Sequence, residues 1–125
     1  MLKNIFYFFL LIIVLAYCKA KTITVEGTYS GTLPCADCEG IKYVLTLKEN
    51  MTYSEKIMYL GKSKSIEKNS GTYVIKNDSV VWLKDKMNGK GMNQFAIENK
   101  KLVMLNLTGQ RIKSSFSNKY ILSKS

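Results

Sequence analysis

Most of the chemistry open to this sequence lies in three cysteines: Cys18, Cys35 and Cys38. Cys35 and Cys38 bound a Cys-Ala-Asp-Cys run, with Pro34 before it and Glu39-Gly40 after it. The ends of a four-residue turn approach to within about 7 Å, which suits a disulfide. Three chemistries stay open at this spacing. A structural bridge would close so small a loop that it removes only about 2 kcal/mol of chain entropy, and it would mainly fix the turn. A redox-responsive pair would use the reducibility of a short bridge. A soft-metal site would use two thiolates for Cu(I) or Zn(II). Two cysteines leave a zinc site incomplete. For Cu(I), thioethers are on offer from Met51, Met58 and Met104, which fall in strand patterns and are expected in the core, and from Met87 and Met92, which flank a turn and are expected outside. Thioredoxin-like catalysis is set aside. It needs a thiolate at a helix N-terminus, no helical pattern follows, and Asp37 and Glu39 surround the pair with negative charge.

The absent residue types narrow the field further. The 125 residues contain no His, which removes Ser-His-Asp triads, Cys-His dyads and His-ligated zinc or haem. Asp37 and Glu39 are the one carboxylate pair near the turn, two positions apart, with no base or opposing acid beside them in the pattern. No enzymatic activity is expected.

Cys18 has a different setting. Residues 1–17 are apolar except for Lys3 and Asn4, and the run from Ile5 to Tyr17 follows a single basic residue. A short basic region and a dozen apolar residues make an export signal. A helix that spans a bilayer needs about 20 residues, so a permanent transmembrane anchor is disfavoured. The run ends at Leu15-Ala16-Tyr17-Cys18, which resembles a bacterial lipobox, with Tyr17 in the place of a small residue. The expectation is a signal peptide over 1–17, a lipidated Cys18 on a tether over 18–21, and one domain over 22–125. Two acyl signals give stable membrane anchoring, and the odd cysteine count resolves into one anchor and one pair.

The charge is strongly positive, with 19 Lys+Arg against 9 Asp+Glu and a formal net charge of +10. Lys3 is the only charge ahead of Cys18, so the surplus stays almost whole in the exported part. An exported chain without a clustered basic-aromatic motif is not expected to bind nucleic acid. Its basic surface suits anionic lipid headgroups, peptidoglycan or an acidic partner.

From Thr22 on, the hydropathy pattern has period two. Ile23, Val25, Gly27 and Tyr29 share a face; Ile41, Tyr43, Leu45 and Leu47 share another; Met51, Tyr53, Ile57 and Tyr59 continue the scheme. Such alternation marks strands with one buried face. Further strands are expected over 71–76, 79–84, 92–98, 101–107 and 119–123, separated by turn dipeptides at 49–50, 77–78, 88–89, 99–100 and 108–109. The polar stretch 61–70 breaks the alternation and reads as an exposed, mobile loop. The fold class is therefore all-β: a small antiparallel meander closed into a barrel, which removes exposed edges. Tyr29, Tyr43, Tyr53, Tyr59, Tyr73, Trp82 and Phe95 have the bulk to fill its interior. Eight-stranded barrels also hold small ligands, so a lipocalin-like carrier of a hydrophobic molecule is the alternative function.

The segment Gly31-Thr-Leu-Pro-Cys-Ala-Asp-Cys-Glu-Gly-Ile41 closely resembles the signature of the NlpE N-terminal domain family. The likeness continues through Tyr59-Leu60-Gly61, Gly71-Thr72-Tyr73, Leu102-Val103-Met104-Leu105, Phe116 and Tyr120-Ile121-Leu122, over nearly all of 24–123. The resemblance implies a lipocalin-like barrel, lipid-anchored at the outer membrane and facing the periplasm. It also implies a role in copper homeostasis and envelope stress through an envelope stress-signalling partner, with Cys35 and Cys38 as metal ligands or redox sensors and Cu(I) as a possible ligand. Larger members carry a second domain with its own cysteine pair, and functions that rest on it are not transferred.

Overall fold

A computed structural model describes residues 23–61, 65–84, 93–113 and 119–125. The expectations for the signal over 1–17, for the tether with Cys18, and for Met87, Asn88-Gly89, Met92 and Phe116 lie outside the described residues. Eight strands run in chain order: β1 (Gly27–Leu33), β2 (Gly40–Leu47), β3 (Thr52–Leu60), β4 (Ile66–Lys76), β5 (Val80–Leu83), β6 (Gln94–Glu98), β7 (Lys101–Met104) and β8 (Ile121–Lys124). Each pairs antiparallel with the next, and β8 returns to β1 through Tyr29 opposite Lys124 and Ser30 opposite Ser123, so the sheet is a closed barrel. The all-β meander barrel expected from the alternation is the fold observed. Gly31 lets the seam close: a Cβ there would stand 2.7 Å from the Ile121 carbonyl oxygen of β8.

Alternation decides what fills the barrel. Tyr29, Tyr43, Leu45, Leu47, Tyr53, Tyr73, Val81, Leu83, Phe95, Leu102 and Leu122 point inward and are almost wholly buried. Trp82 does not join them. Its neighbours Val81 and Leu83 take the inward positions, so period two turns the indole to the outer wall, where the Lys76 ammonium sits 3.5 Å from the ring centroid. Tyr59 is only half-buried, near the rim.

The tight turns explain where strands stop. Glu98 and Lys101 pair directly, leaving Asn99 and Lys100 as a two-residue hairpin with φ of 47° and 63°. Both angles are positive, as a type I′ turn requires. Asn77 and Asp78 also take positive φ, in a three-residue loop between the paired Lys76 and Val80, with the Ser79 N–H donating to the Lys76 carbonyl at 3.0 Å. After β2 the chain turns through Lys48–Met51, and Met51 takes the left-handed position at φ 62°. Met51 is thus 40% exposed and not part of the core. Holding a side chain with a Cβ there costs about 1–2 kcal/mol. Met51→Gly is expected to raise stability by about 0.5–1 kcal/mol after the added freedom of the unfolded chain is subtracted, read as a higher denaturant midpoint.

Three boundaries differ from the sequence expectation. Residues 66–70 are not a loop but the first half of β4, exposed along their whole length. β3 pairs with them from Ser54 opposite Ser70 to Met58 opposite Ile66, so the backbone bonds that hold them need no apolar alternation. The first strand begins at Gly27, and Ile23–Glu26 lead into it without strand pairing. The strand expected over 101–107 ends at Met104, and Asn106 opens a turn by accepting from the Thr108 and Gln110 N–H groups at 3.1 and 2.8 Å.

Candidate functional site

Leu33 and Ile41 form the last rung between β1 and β2, and the cysteines lie in the connection above it. Pro34 has no N–H to donate to the ladder and biases Leu33 to extended backbone, so pairing stops there. Residues 36–39 bend back on themselves. The Glu39 N–H donates to the Leu60 carbonyl at 3.2 Å, which returns the chain to the sheet. Gly61 follows Leu60 at φ 95°, and a Cβ there would stand 2.6 Å from the Glu39 side chain. Only glycine allows β3 to end that close to the loop.

Cys35 and Cys38 are joined by a disulfide, with Cα atoms 5.3 Å apart. Both are half-buried, while Ala36, Asp37 and Glu39 are exposed. The Cys35 sulfur is 3.4 Å from Asp37 Oδ1, and the Cys38 sulfur is 3.3 Å from the Gly40 carbonyl oxygen. Ligand atoms of Cys35, Asp37 and Cys38 all lie within 4.8 Å of one another. Once the bridge is reduced, the two sulfurs are the donors a soft cation would use, and the Asp37 carboxylate beside them is a hard oxygen donor that adds negative charge. The methionines do not complete the set. Met51 sits in the turn after β2 at the other end of the barrel, and Met104 is 5% exposed inside it. Met58 is half-buried, opposite Lys42 and Ile66.

A polar cluster lies in the barrel wall, and the alternation passed over it. Glu55 occupies the inward position between Tyr53 and Ile57 and is 2% exposed. The Tyr43 hydroxyl donates to Glu55 Oε1, and Asn69 Nδ2 donates to Oε2 at 3.0 Å. The readable signal was a carboxylate at an in-facing position of an otherwise apolar strand. Burial, then the Glu55 charge and hydrogen bond, push the Tyr43 phenol well above its ordinary value of 10. Burial also raises Tyr29, whose hydroxyl donates to the Val25 carbonyl at 2.8 Å, and Tyr73, whose hydroxyl donates to the Lys48 carbonyl at 2.8 Å. Each fold-stabilised form is the neutral phenol. The stability they confer is whole below about pH 10 and is lost as pH rises through the higher folded values. Denaturant midpoints are expected to hold up to pH ~10 and to fall beyond it, with phenolate absorbance appearing in step with unfolding.

The family model for the NlpE N-terminal domain matches residues 29–115. The chain belongs to the NlpE N-terminal domain family. Two crystal structures resemble this NlpE-type barrel. A candidate lipoprotein from Shewanella oneidensis is 36% identical with a TM-score of 0.71, over 82% of this chain and 91% of that one. The Cpx pathway activator NlpE from Escherichia coli is 33% identical with a TM-score of 0.60, over 73% of this chain and 47% of that one. The NlpE-type chain therefore spans about half the length of the E. coli protein. No curated protein matches it in sequence.

Proposed function

We propose that this NlpE-related envelope lipoprotein is a non-enzymatic sensor or buffer of redox and thiophilic-metal stress. In this reading Cys18 holds the chain to the outer membrane on its periplasmic side, and Cys35 and Cys38 are the responsive pair. One observation carries it: backbone pairing holds the flanking strands right up to the cysteine loop. The disulfide joins the ends of β1 and β2, which seven register pairs already hold, and β2 and β3 are paired up to Gly40 opposite Leu60. A bridge set in the loop beyond the last rung can be opened and closed by exchange without unpairing the ladder. Reduction frees two sulfurs, the donor type suited to Cu(I). The name of the E. coli relative, a Cpx pathway activator, supports an envelope stress-signalling protein as partner. The carrier alternative draws less support, because large side chains occupy the barrel interior.

Replacement of both cysteines, Cys35→Ser with Cys38→Ser, separates structure from response. The variant is expected to stay folded and to lose at most about 2 kcal/mol. It should lose Cu(I) binding in competition titrations of the reduced protein, and copper tolerance in cells. Unchanged Cu(I) affinity and unchanged tolerance in the double variant would remove the metal role.

A further inference from the structure

The outer wall of β1–β4 is unusual in its charge. Outward positions alternate with the buried ones, and from Thr28 to Lys76 none of them carries a carboxylate. Glu55 and Glu67 of this sheet share the inward register of Tyr53 and Tyr73. On the outside, Val44 of β2 stands opposite Lys56 of β3, and Lys56 stands opposite Lys68 of β4. Lys42 lies one outward step further along β2. All three lysines are exposed, and none has an ion pair among the described residues. Like charges placed directly across a pair of strands destabilise a sheet, and among the described residues of this wall no carboxylate offsets that cost.

Hydroxyls accompany the lysines. Thr28, Thr46, Ser54 and Ser70 form a continuous row across the four strands, with the Thr28 and Thr46 Oγ1 atoms 3.2 Å apart. Lys56, Lys68, Thr46, Ser54, Ser70 and Val44 line a shallow depression of about 410 Å³. Glu55 reaches its floor, but its carboxylate oxygens are taken by Tyr43 and Asn69. Beside it Ile66 is 49% exposed, next to Met58 on the same wall. Ammonium groups, hydroxyl donors and a protruding aliphatic side chain are together the chemistry that meets phosphate headgroups at a bilayer surface.

We infer that this wall docks the barrel onto anionic phospholipid. The inference rests on the reading of Cys18 as lipidated, because the tether decides what lies within reach. Residues 18–22 separate that cysteine from Ile23 and span at most about 18 Å. The membrane is thus the nearest large anionic surface. Glu98 faces outward on β6, away from this wall, and is ion-paired with Arg111. Docked this way, the barrel lies on its side and its cysteine loop stays in water.

The test uses residues 19–125, which contain every strand of the closed barrel and no lipid, so it reads the wall independently of anchoring. Sedimentation is measured with vesicles of phosphatidylcholine alone, with vesicles about one-third phosphatidylglycerol, and with soluble polyphosphate as a competitor. Binding is expected to the anionic vesicles only, with release between ~0.05 M and ~0.5 M salt. The triple variant Lys42→Gln, Lys56→Gln, Lys68→Gln should weaken binding roughly a hundredfold, about fivefold per lysine. The variant Lys100→Gln, Lys101→Gln, Lys113→Gln removes equal charge elsewhere and should weaken it far less. Lys68→Glu should raise the thermal midpoint, by facing Lys56 with an acid, while it lowers binding. Equal loss in both triple variants, no binding to the anionic vesicles, or binding to polyphosphate without vesicle binding would each overturn the proposal. Lipidation is read separately by mass, so its failure is distinguishable from failure of the docking face.

Discussion

Glu55→Ala is expected to destabilise the barrel by about 3 kcal/mol or more. The carboxylate accepts from the buried Tyr43 hydroxyl and from the exposed Asn69 amide, and its removal leaves the Tyr43 hydroxyl buried without its acceptor. A buried polar group left unpaired costs about 1–3 kcal/mol, and the vacated volume adds a packing loss. In a domain of about 100 residues each kcal/mol is worth roughly 4–8 °C of melting temperature, so a fall of at least about 12 °C is expected. Glu55→Gln keeps an acceptor for the Tyr43 hydroxyl and should lose less. Glu55→Leu with Tyr43→Phe removes donor and acceptor together and should recover part of the loss. Calorimetry of these variants checks the ordering. An alanine variant as stable as the parent would show that the cluster does not hold the β2–β3–β4 wall.

The second large effect separates the two aromatic residues of the β5–β6 pair. Phe95→Ala should cost about 3–5 kcal/mol, because the ring is fully buried and packs beside Tyr43 with centroids 6.1 Å apart. Trp82→Ala should cost much less, although tryptophan is the larger side chain. Its ring lies on the outer wall under Lys76 and Lys84, where a cation–π contact contributes about 0.5–2 kcal/mol. Denaturant unfolding of the two variants reads the register of β5 directly. A one-residue slip of β5 would turn Trp82 inward and make its loss as costly as that of Phe95.

These residues also show what the sequence could and could not reveal. The turns at Asn77-Asp78 and Asn99-Lys100 were legible, because few side chains other than Asn and Asp tolerate positive φ and both runs sit between alternating strands. The inward Tyr29, Tyr43, Tyr53 and Tyr73 followed from period two. Trp82 has the bulk of a core residue but the wrong parity: Val81 and Leu83 already claim the inside. The first half of β4 was illegible for a physical reason. Both of its faces are wet, so no alternation marks it, and pairing with β3 makes it a strand. Glu55 was passed over because its partners come from β2 and from that same hidden stretch. At the cysteines, the spacing showed that the sulfurs can meet. That β1, β2 and β3 are paired right up to the loop appears only once the register is known.

The central claim is that one cysteine anchors the chain and the other two form the responsive pair. It is tested most directly by the intact mass of the protein extracted from its native membrane, before and after reduction and thiol alkylation. The account predicts a chain that begins at Cys18 and carries diacylglyceryl and acyl additions. Before reduction its mass should lack two hydrogens relative to the dithiol, and afterwards it should gain two alkyl groups, at Cys35 and Cys38. A chain that starts elsewhere without lipid, or a cysteine pair that reduction and alkylation leave unchanged, would contradict it.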